Sequence, residues 1–135
     1  MIHFCRVQGV IDATKPKYSC PQKKAVNLIG LGNLTQSEDC LVLNIWSQNA
    51  NNGSDLKPVM FWIYGGALTI GSIYQTLYNG SVLATKDVVF VSTNYRLGPF
   101  GFLYRNDSEA TGDMGFYDQN LALKWVCFVN VLKRE

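Results

Sequence analysis

The amino-acid sequence predicts an α/β fold in which a mostly parallel sheet is flanked by helices. Two apolar runs, residues 59–64 and 88–93, have the length and the β-branched or aromatic content of strands. Neither run alternates with polar residues, which is typical of strands that are buried on both faces. Residues 116–132 repeat large apolar side chains with the helical period, so a helix is expected after the last of these strands.

Composition indicates one globular domain without an internal boundary. Of the 135 residues, 47% are hydrophobic and 16% are charged, and the net charge of +2 is too small to indicate a nucleic acid or an anionic membrane as a partner. No apolar run is long enough to span a bilayer, and residues 1–6 lack the basic and long apolar regions of a signal peptide. No C-x-x-C spacing suggests a metal site, and no cofactor is expected.

The first predicted strand covers residues 41–47. Its two alternating sets of side chains both contain large apolar residues, so both faces are expected to be covered. Residues 48–57 are rich in Asn and Gly, which is typical of a turn. The strand is therefore expected to form a hairpin with the strand at 59–64.

The strand at 59–64 runs directly into Gly65, Gly66 and Ala67. Two glycines let a backbone turn sharply and approach a ligand closely, because no Cβ atom stands in the way. Backbone N–H groups that such a turn directs at one point can hold the oxygen of a tetrahedral acyl-transfer intermediate. A short glycine run is also compatible with a turn that binds no ligand.

Arg96 follows the predicted strand at 88–93. A charged side chain at the end of a buried strand needs an acidic partner. Asp118, Glu38 and Asp39 are candidates, and the sequence does not choose among them. We expect a structural role for Arg96 and not a catalytic one.

The predicted helix at 116–132 carries one apolar face. Leu121, Trp125, Phe128 and Leu132 recur at helical spacing along it. Trp125 is therefore expected in the core and not in a ligand-stacking position.

Cysteines and sequons are features of an extracellular protein. Four cysteines allow three pairings, and Cys20 and Cys40 would close a loop just before the strand at 41–47. Cys5 and Cys127 have no assigned role. Four N-x-S/T sequons supply candidate glycosylation sites and favour secretion: Asn33, Asn52, Asn79 and Asn106.

The chain has no catalytic triad for ester hydrolysis. In α/β-hydrolases the triad follows the order Ser, Asp/Glu, His, with the serine in a G-x-S-x-G turn. No serine of this chain lies in that pattern, and the only histidine, His3, precedes the glycine loop. We expect His3 to be an ordinary residue of the N-terminus.

Four blocks of sequence resemble the type-B carboxylesterase/cholinesterase family. They are SEDCLVLNIW (37–46), WIYGGA (62–67), NYRLGPFGFL (94–103) and GDMGFYDQNLALKWV (112–126). The blocks stand in the order and at the spacing of that family, and the resemblance extends over residues 9–126. Residues 1–8 do not match, and residues 127–135 form a divergent tail.

The resemblance implies a partial α/β-hydrolase fold, truncated before the nucleophile elbow. It implies that Gly65, Gly66 and Ala67 form the oxyanion loop, with the N–H groups of Gly66 and Ala67 as donors. It also implies a disulfide between Cys20 and Cys40. An ion pair between Arg96 and Asp118 is suggested in the same way.

The same resemblance implies a fragment of a secreted or extracellular serine carboxylesterase that acts on small carboxylic esters and is inactive by itself. No tryptophan lies between Cys20 and Cys40, which favours a general carboxylesterase over an acetylcholinesterase, whereas Tyr64 is the cholinesterase-like residue. The alternatives are a fragment of a non-catalytic, neuroligin-like adhesion ectodomain and a truncated product without a function of its own.

Overall fold

A three-stranded sheet and one long helix form most of the regular structure in the computed structural model, which describes residues 12–23, 34–48, 57–106 and 110–132. The strands pair in the order β1-β3-β2, where β1 is Leu43–Trp46, β2 is Val59–Ile63 and β3 is Val89–Thr93. β3 runs antiparallel to β1 and parallel to β2, and Thr93 lies opposite both Leu43 and Ile63. A 3-10 turn at Thr76–Tyr78 and three helices complete the described elements: α1 (Ser81–Ala84), α2 (Gly98–Phe102) and α3 (Met114–Leu132).

The central strand, β3, confirms the strand predicted at residues 88–93. Residues 90–93 are all buried, because β3 has a neighbour on each side. The predicted α/β class is also confirmed, since the sheet is accompanied by helices. The described sheet is mixed, with one antiparallel and one parallel pair, and in this it differs from the mostly parallel sheet that we expected.

The predicted hairpin between the first two strands is wrong. β1 and β2 do not pair, because β3 lies between them and hydrogen-bonds to both. The most continuously buried strand takes the centre, where two neighbours cover it. Most of the connection that we predicted as a turn, residues 49–56, lies outside the described residues.

The expectation that β1 and β2 are buried on both faces is also wrong. Both are edge strands, and exposed side chains include Ile45 on β1, at 50%, and Met60 and Trp62 on β2. An apolar run indicates that a strand can be buried. It does not indicate whether the strand lies at the edge of the sheet or whether other elements cover both of its faces. Two apolar sheet edges therefore remain uncovered by the described residues.

Helix α3 confirms the helix predicted at 116–132 and begins two residues earlier, at Met114. The amide groups of Phe116 and Tyr117 donate to the carbonyl oxygen of Asp113, at 2.9 and 3.1 Å, which closes the first turn. The buried positions of the helix include Gly115, Asp118 and Val126. The start of α3 packs against α2, where the rings of Phe102 and Phe116 lie 5.2 Å apart, centroid to centroid.

The predicted core face of α3 is wrong. Trp125 is 37% exposed and Phe128 is 59% exposed, and Leu121 is exposed as well. Leu121 and Trp125 line a groove of about 1070 Å³ that also borders β1 and residues 12–17. The helical period identified an apolar face correctly, but no described element covers it. The side chain of Leu132 lies outside the described residues.

The main core cluster lies just beyond the ends of β2 and β3 and consists of Tyr64, Ile73, Tyr95 and Leu97. Each of these side chains is at most 2% exposed. Tyr64 directly precedes the glycines that follow β2, and Ile73 follows that segment, so the cluster holds the chain on both sides of it. Among the described helices, none is both long and apolar enough to cross a membrane.

Candidate functional site

The glycine loop, residues 65–71, follows β2 and Tyr64 and contains a tight turn that closes on Gly66. The amide groups of Thr69 and Ile70 both donate to the carbonyl oxygen of Gly66, at 3.0 and 3.1 Å. Gly66 has φ +143°, and the next two residues also lie in the left-handed region, Ala67 at φ 52° and Leu68 at φ 60°. Three successive positive φ angles reverse the chain immediately after the strand.

Gly66 is required by this geometry, whereas Gly65 is not. A Cβ atom on Gly66 would lie 1.8 Å from the carbonyl oxygen of Ile70, and no side-chain rotation relieves a contact with backbone. A Cβ atom on Gly65 would meet nothing within 4 Å. The second glycine of the pair therefore determines whether the turn can close.

The two candidate donors of the loop have no acceptor among the residues that the structure describes. Across the described ranges, the N–H groups of Gly66 and Ala67 donate no hydrogen bond, and Ala67 is exposed. The far side of the turn is fixed, because the amide of Gly98 donates to the carbonyl oxygen of Leu68 at 2.7 Å. Two successive free N–H groups on an anchored turn can donate to an oxygen that develops negative charge.

Two stacked tyrosines hold the strand ends beneath the loop. The rings of Tyr64 and Tyr95 lie 4.7 Å apart, centroid to centroid. The hydroxyl of Tyr95 donates to the backbone carbonyl oxygen of Tyr64 at 2.8 Å, and the hydroxyl of Tyr64 donates to the backbone carbonyl oxygen of Tyr95 at 3.4 Å. Burial raises the pKa of both hydroxyls above the usual value.

Arg96 pairs with Asp118, one of the three acidic candidates. The Nε and Nη2 atoms of Arg96 lie 2.8 Å from Oδ2 and Oδ1 of Asp118, and the amide of Arg96 lies 3.0 Å from Oδ2. The hydrogen bond to Asp118 raises the pKa of the guanidinium group. Glu38 and Asp39, the other candidates, are exposed. The pair joins the end of β3 to the first turns of α3.

The predicted disulfide between Cys20 and Cys40 is confirmed. The two sulfur atoms are bonded at 2.03 Å, and both residues are fully buried. Cys127 is a free, exposed thiol on α3. Cys5 and His3 lie outside the described residues. The described residues contain no cluster of metal-ligating side chains.

Two of the four candidate glycan acceptors can be located. Asn79 is exposed and follows the 3-10 turn, where its Oδ1 atom accepts the amide of Ser81 at 2.9 Å. Asn106 is exposed, and its Oδ1 atom accepts the hydroxyl of Tyr104 at 3.2 Å. Asn33 and Asn52 lie outside the described residues.

Two carboxamides near the loop escaped sequence reasoning. Asn94 accepts the amide of Ile73 at 3.1 Å and donates to the carbonyl oxygens of Tyr18 and Cys40, both at 3.1 Å. Gln22 binds the backbone of Gly71 at the end of the loop. The sequence shows that Gln22 lies near Cys20 and that Asn94 follows the strand β3. It does not show which backbone groups they bind, because these partners are distant in the sequence.

A family model described as "Carboxylesterase family" matches residues 6–128. The chain belongs to the carboxylesterase family. Venom carboxylesterase-6 of Apis mellifera is 42% identical over 116 residues, covering 86% of this chain and 20% of that protein. Cocaine esterase of Oryctolagus cuniculus is 52% identical over 127 residues, covering 87% of this chain and 23% of that protein.

Among solved structures, a PNB esterase is similar to this carboxylesterase-family chain with a TM-score of 0.71 and 43% identity. The match covers 82% of the chain and 23% of the PNB esterase, which confirms the prediction of a partial α/β-hydrolase fold. The chain thus spans between a fifth and a quarter of the length of the two relatives named above. The family prediction that rested on the four sequence blocks is confirmed.

Proposed function

We propose that this chain supplies the oxyanion-hole part of a serine carboxylic-ester hydrolase. The observation that carries the proposal is the pair of N–H groups on Gly66 and Ala67, which have no acceptor among the described residues and lie on an anchored turn at the end of β2. In the catalysed reaction, these groups donate to the oxygen of the tetrahedral intermediate. Gly65, Gly66 and Ala67 then form the oxyanion loop.

The turn is suited to this role because it is held before the substrate arrives. The bonds from Thr69 and Ile70 to Gly66, and the bond from Gly98 to Leu68, fix both sides of the turn. Preorganised donors need no rearrangement when charge develops, and removal of one such donor typically lowers kcat by about 10²–10³. Burial of Tyr64 and Tyr95 fixes the strand ends that carry the loop.

We propose that the 135-residue chain has no triad-dependent turnover by itself, because it contains neither G-x-S-x-G nor a histidine after the loop. The purified chain is expected to show no burst of product with an activated carboxylic ester. A burst that a serine-reactive phosphonate abolishes would contradict this proposal.

The limits of the carboxylesterase-type domain, residues 9–126, remain a prediction.

A chimera tests the oxyanion function. Residues 12–128 of this chain replace the matching segment of the PNB esterase, and the assay follows an ester that the unmodified enzyme cleaves. The chimera is expected to hydrolyse that ester, and the same chimera with its nucleophilic serine replaced by alanine is expected to be inactive. A chimera that folds, as judged by circular dichroism and thermal unfolding, but cleaves no ester would overturn the proposal and favour a non-catalytic member of the family.

We propose an extracellular location for the protein to which this chain contributes. The buried Cys20–Cys40 disulfide supports it, because disulfides persist in oxidising compartments and are rare in the cytosol. The exposed sequon residues Asn79 and Asn106 are accessible to glycan transfer. Expression through a eukaryotic secretory pathway is expected to give a product whose mass falls after enzymatic removal of N-glycans. An unchanged mass would contradict glycosylation.

A further inference from the structure

Gln22 makes a two-point contact with the backbone at the end of the glycine loop. Its Oε1 atom accepts the amide of Gly71 at 2.8 Å, and its Nε2 atom donates to the carbonyl oxygen of the same residue at 2.7 Å. The carboxamide therefore satisfies both backbone groups of Gly71, as a neighbouring strand would. Nε2 also donates to the carbonyl oxygen of Cys20 at 3.1 Å.

Gly71 connects the end of the loop to its beginning. Its φ angle is +138°, and a Cβ atom there would lie 2.4 Å from the ring of Tyr64 and 3.1 Å from the carbonyl oxygen of Gly65. The backbone at the end of the loop thus packs directly on the residues that begin it. A displacement of Gly71 would therefore act first on Tyr64 and Gly65, the two residues that directly precede Gly66.

Gln22 is itself anchored by the disulfide segment. Its amide donates to Oε1 of Gln36 at 3.0 Å, and it lies two residues after the disulfide-bonded Cys20. A second contact runs beside it, because the hydroxyl oxygens of Ser19 and Ser72 lie 2.7 Å apart and both residues are fully buried. The segment around Cys20 therefore provides a fixed base for the contact to the loop.

We infer that Gln22 is a positioning residue for the oxyanion loop. Its carboxamide fixes Gly71, Gly71 fixes the turn through its packing on Tyr64 and Gly65, and the turn sets the direction of the N–H groups of Gly66 and Ala67. The inference rests on the proposed function for its catalytic meaning. The positioning itself is measurable on the chain without any catalysis.

Amide hydrogen exchange by NMR tests this inference on the full 135-residue chain. In Gln22→Ala, the amide of Gly71 loses its acceptor and is expected to exchange about fivefold faster, which corresponds to the net stabilisation of about 1 kcal/mol that one hydrogen bond provides. Thr69 and Ile70, whose amides bond to Gly66 and not to Gln22, are expected to exchange severalfold faster as well. The control is Gln48→Ala, which makes the same chemical change at an exposed residue far from the loop in sequence.

Faster exchange at Gly71 alone, with Thr69 and Ile70 unchanged, would overturn the inference, because Gln22 would then make only a local contact. The amide of Val91 on the buried central strand serves as the internal reference for global stability. Faster exchange at Thr69 and Ile70 counts in support only where it exceeds the change at Val91. A uniform increase that includes Val91 would also count against a specific positioning role.

Gln22→Glu provides a rescue test with a pH profile. A neutral carboxyl group has one donor and one acceptor and can restore both contacts to Gly71, whereas a carboxylate has no donor for its carbonyl oxygen. Protection of Thr69 and Ile70 in Gln22→Glu, relative to Gln48→Ala at the same pH, is expected to rise as the pH falls through the titration of Glu. A flat profile would contradict the inference. An inactive PNB-esterase chimera would leave this result intact, so the two proposals fail separately.

Discussion

Replacement of Gly66 by alanine is the sharpest available perturbation of the loop. The new Cβ atom would lie 1.8 Å from the carbonyl oxygen of Ile70, so the turn must open. Opening breaks the bonds from Thr69 and Ile70 to the carbonyl oxygen of Gly66, at 3.0 and 3.1 Å, each contributing about 1 kcal/mol. Backbone strain of an alanine near φ +143° adds about 1 kcal/mol or more. The expected loss in free energy of unfolding is roughly 3 kcal/mol.

Urea unfolding followed by circular dichroism measures this loss. With a slope of about 1–3 kcal/mol per M, a loss of that size lowers the midpoint by roughly 1–3 M. Gly65→Ala is the matched control, because a Cβ atom there meets nothing within 4 Å and Gly65 does not have a positive φ angle. This variant is expected to keep the midpoint or raise the free energy of unfolding by up to about 1 kcal/mol, since alanine restricts the unfolded chain. Equal midpoints for the two variants would refute the geometric reasoning.

Three further changes are expected to alter stability in defined ways. Cys20→Ser opens a disulfide that spans 20 residues and is expected to lower the free energy of unfolding in urea by about 3 kcal/mol. The control is Cys127→Ser, which replaces an exposed free thiol and should leave the midpoint unchanged. A similar loss in both variants would contradict a stabilising role for the Cys20–Cys40 disulfide. Asp118→Asn removes the negative charge that pairs with the guanidinium group of Arg96 and is expected to cost about 2 kcal/mol, whereas the exposed Asp87→Asn is expected to cost less than about 0.5 kcal/mol. Equal effects of the two substitutions would argue against a structural ion pair. Because burial raises the pKa of Tyr64, the unfolded chain loses this proton near pH 10 while the folded chain keeps it, so the free energy of unfolding falls as the pH rises above about 10. Tyr64→Phe should reduce that slope, and an unchanged slope would refute the burial argument.

Local patterns predicted the elements of this fold but not their neighbours. The strand at 88–93 and the helix at 116–132 are specified by short runs, and both are present as β3 and α3. Which of the three apolar runs becomes the central strand depends on how all three pair with one another. The sequence of a single run does not indicate this. The same reasoning explains why Trp125 is exposed although a core position was predicted for it. The sequence of α3 determines which face is apolar, but burial of that face requires another part of the molecule to pack against it.

The glycine loop shows the same division between local and distant information. Gly66 was predictable because a strand followed by two glycines limits what the backbone can do next. Gln22 and Asn94 were not, since the bond from Gln22 to Gly71 joins residues 49 apart and the bond from Asn94 to Tyr18 joins residues 76 apart. A carboxamide carries no periodic signal, and its donors and acceptors suit almost any backbone group that it reaches. The loop is thus specified locally, whereas the contacts that hold it depend on the disulfide-linked segment and the end of the central strand, so a substitution far from the glycines in sequence can still alter the site.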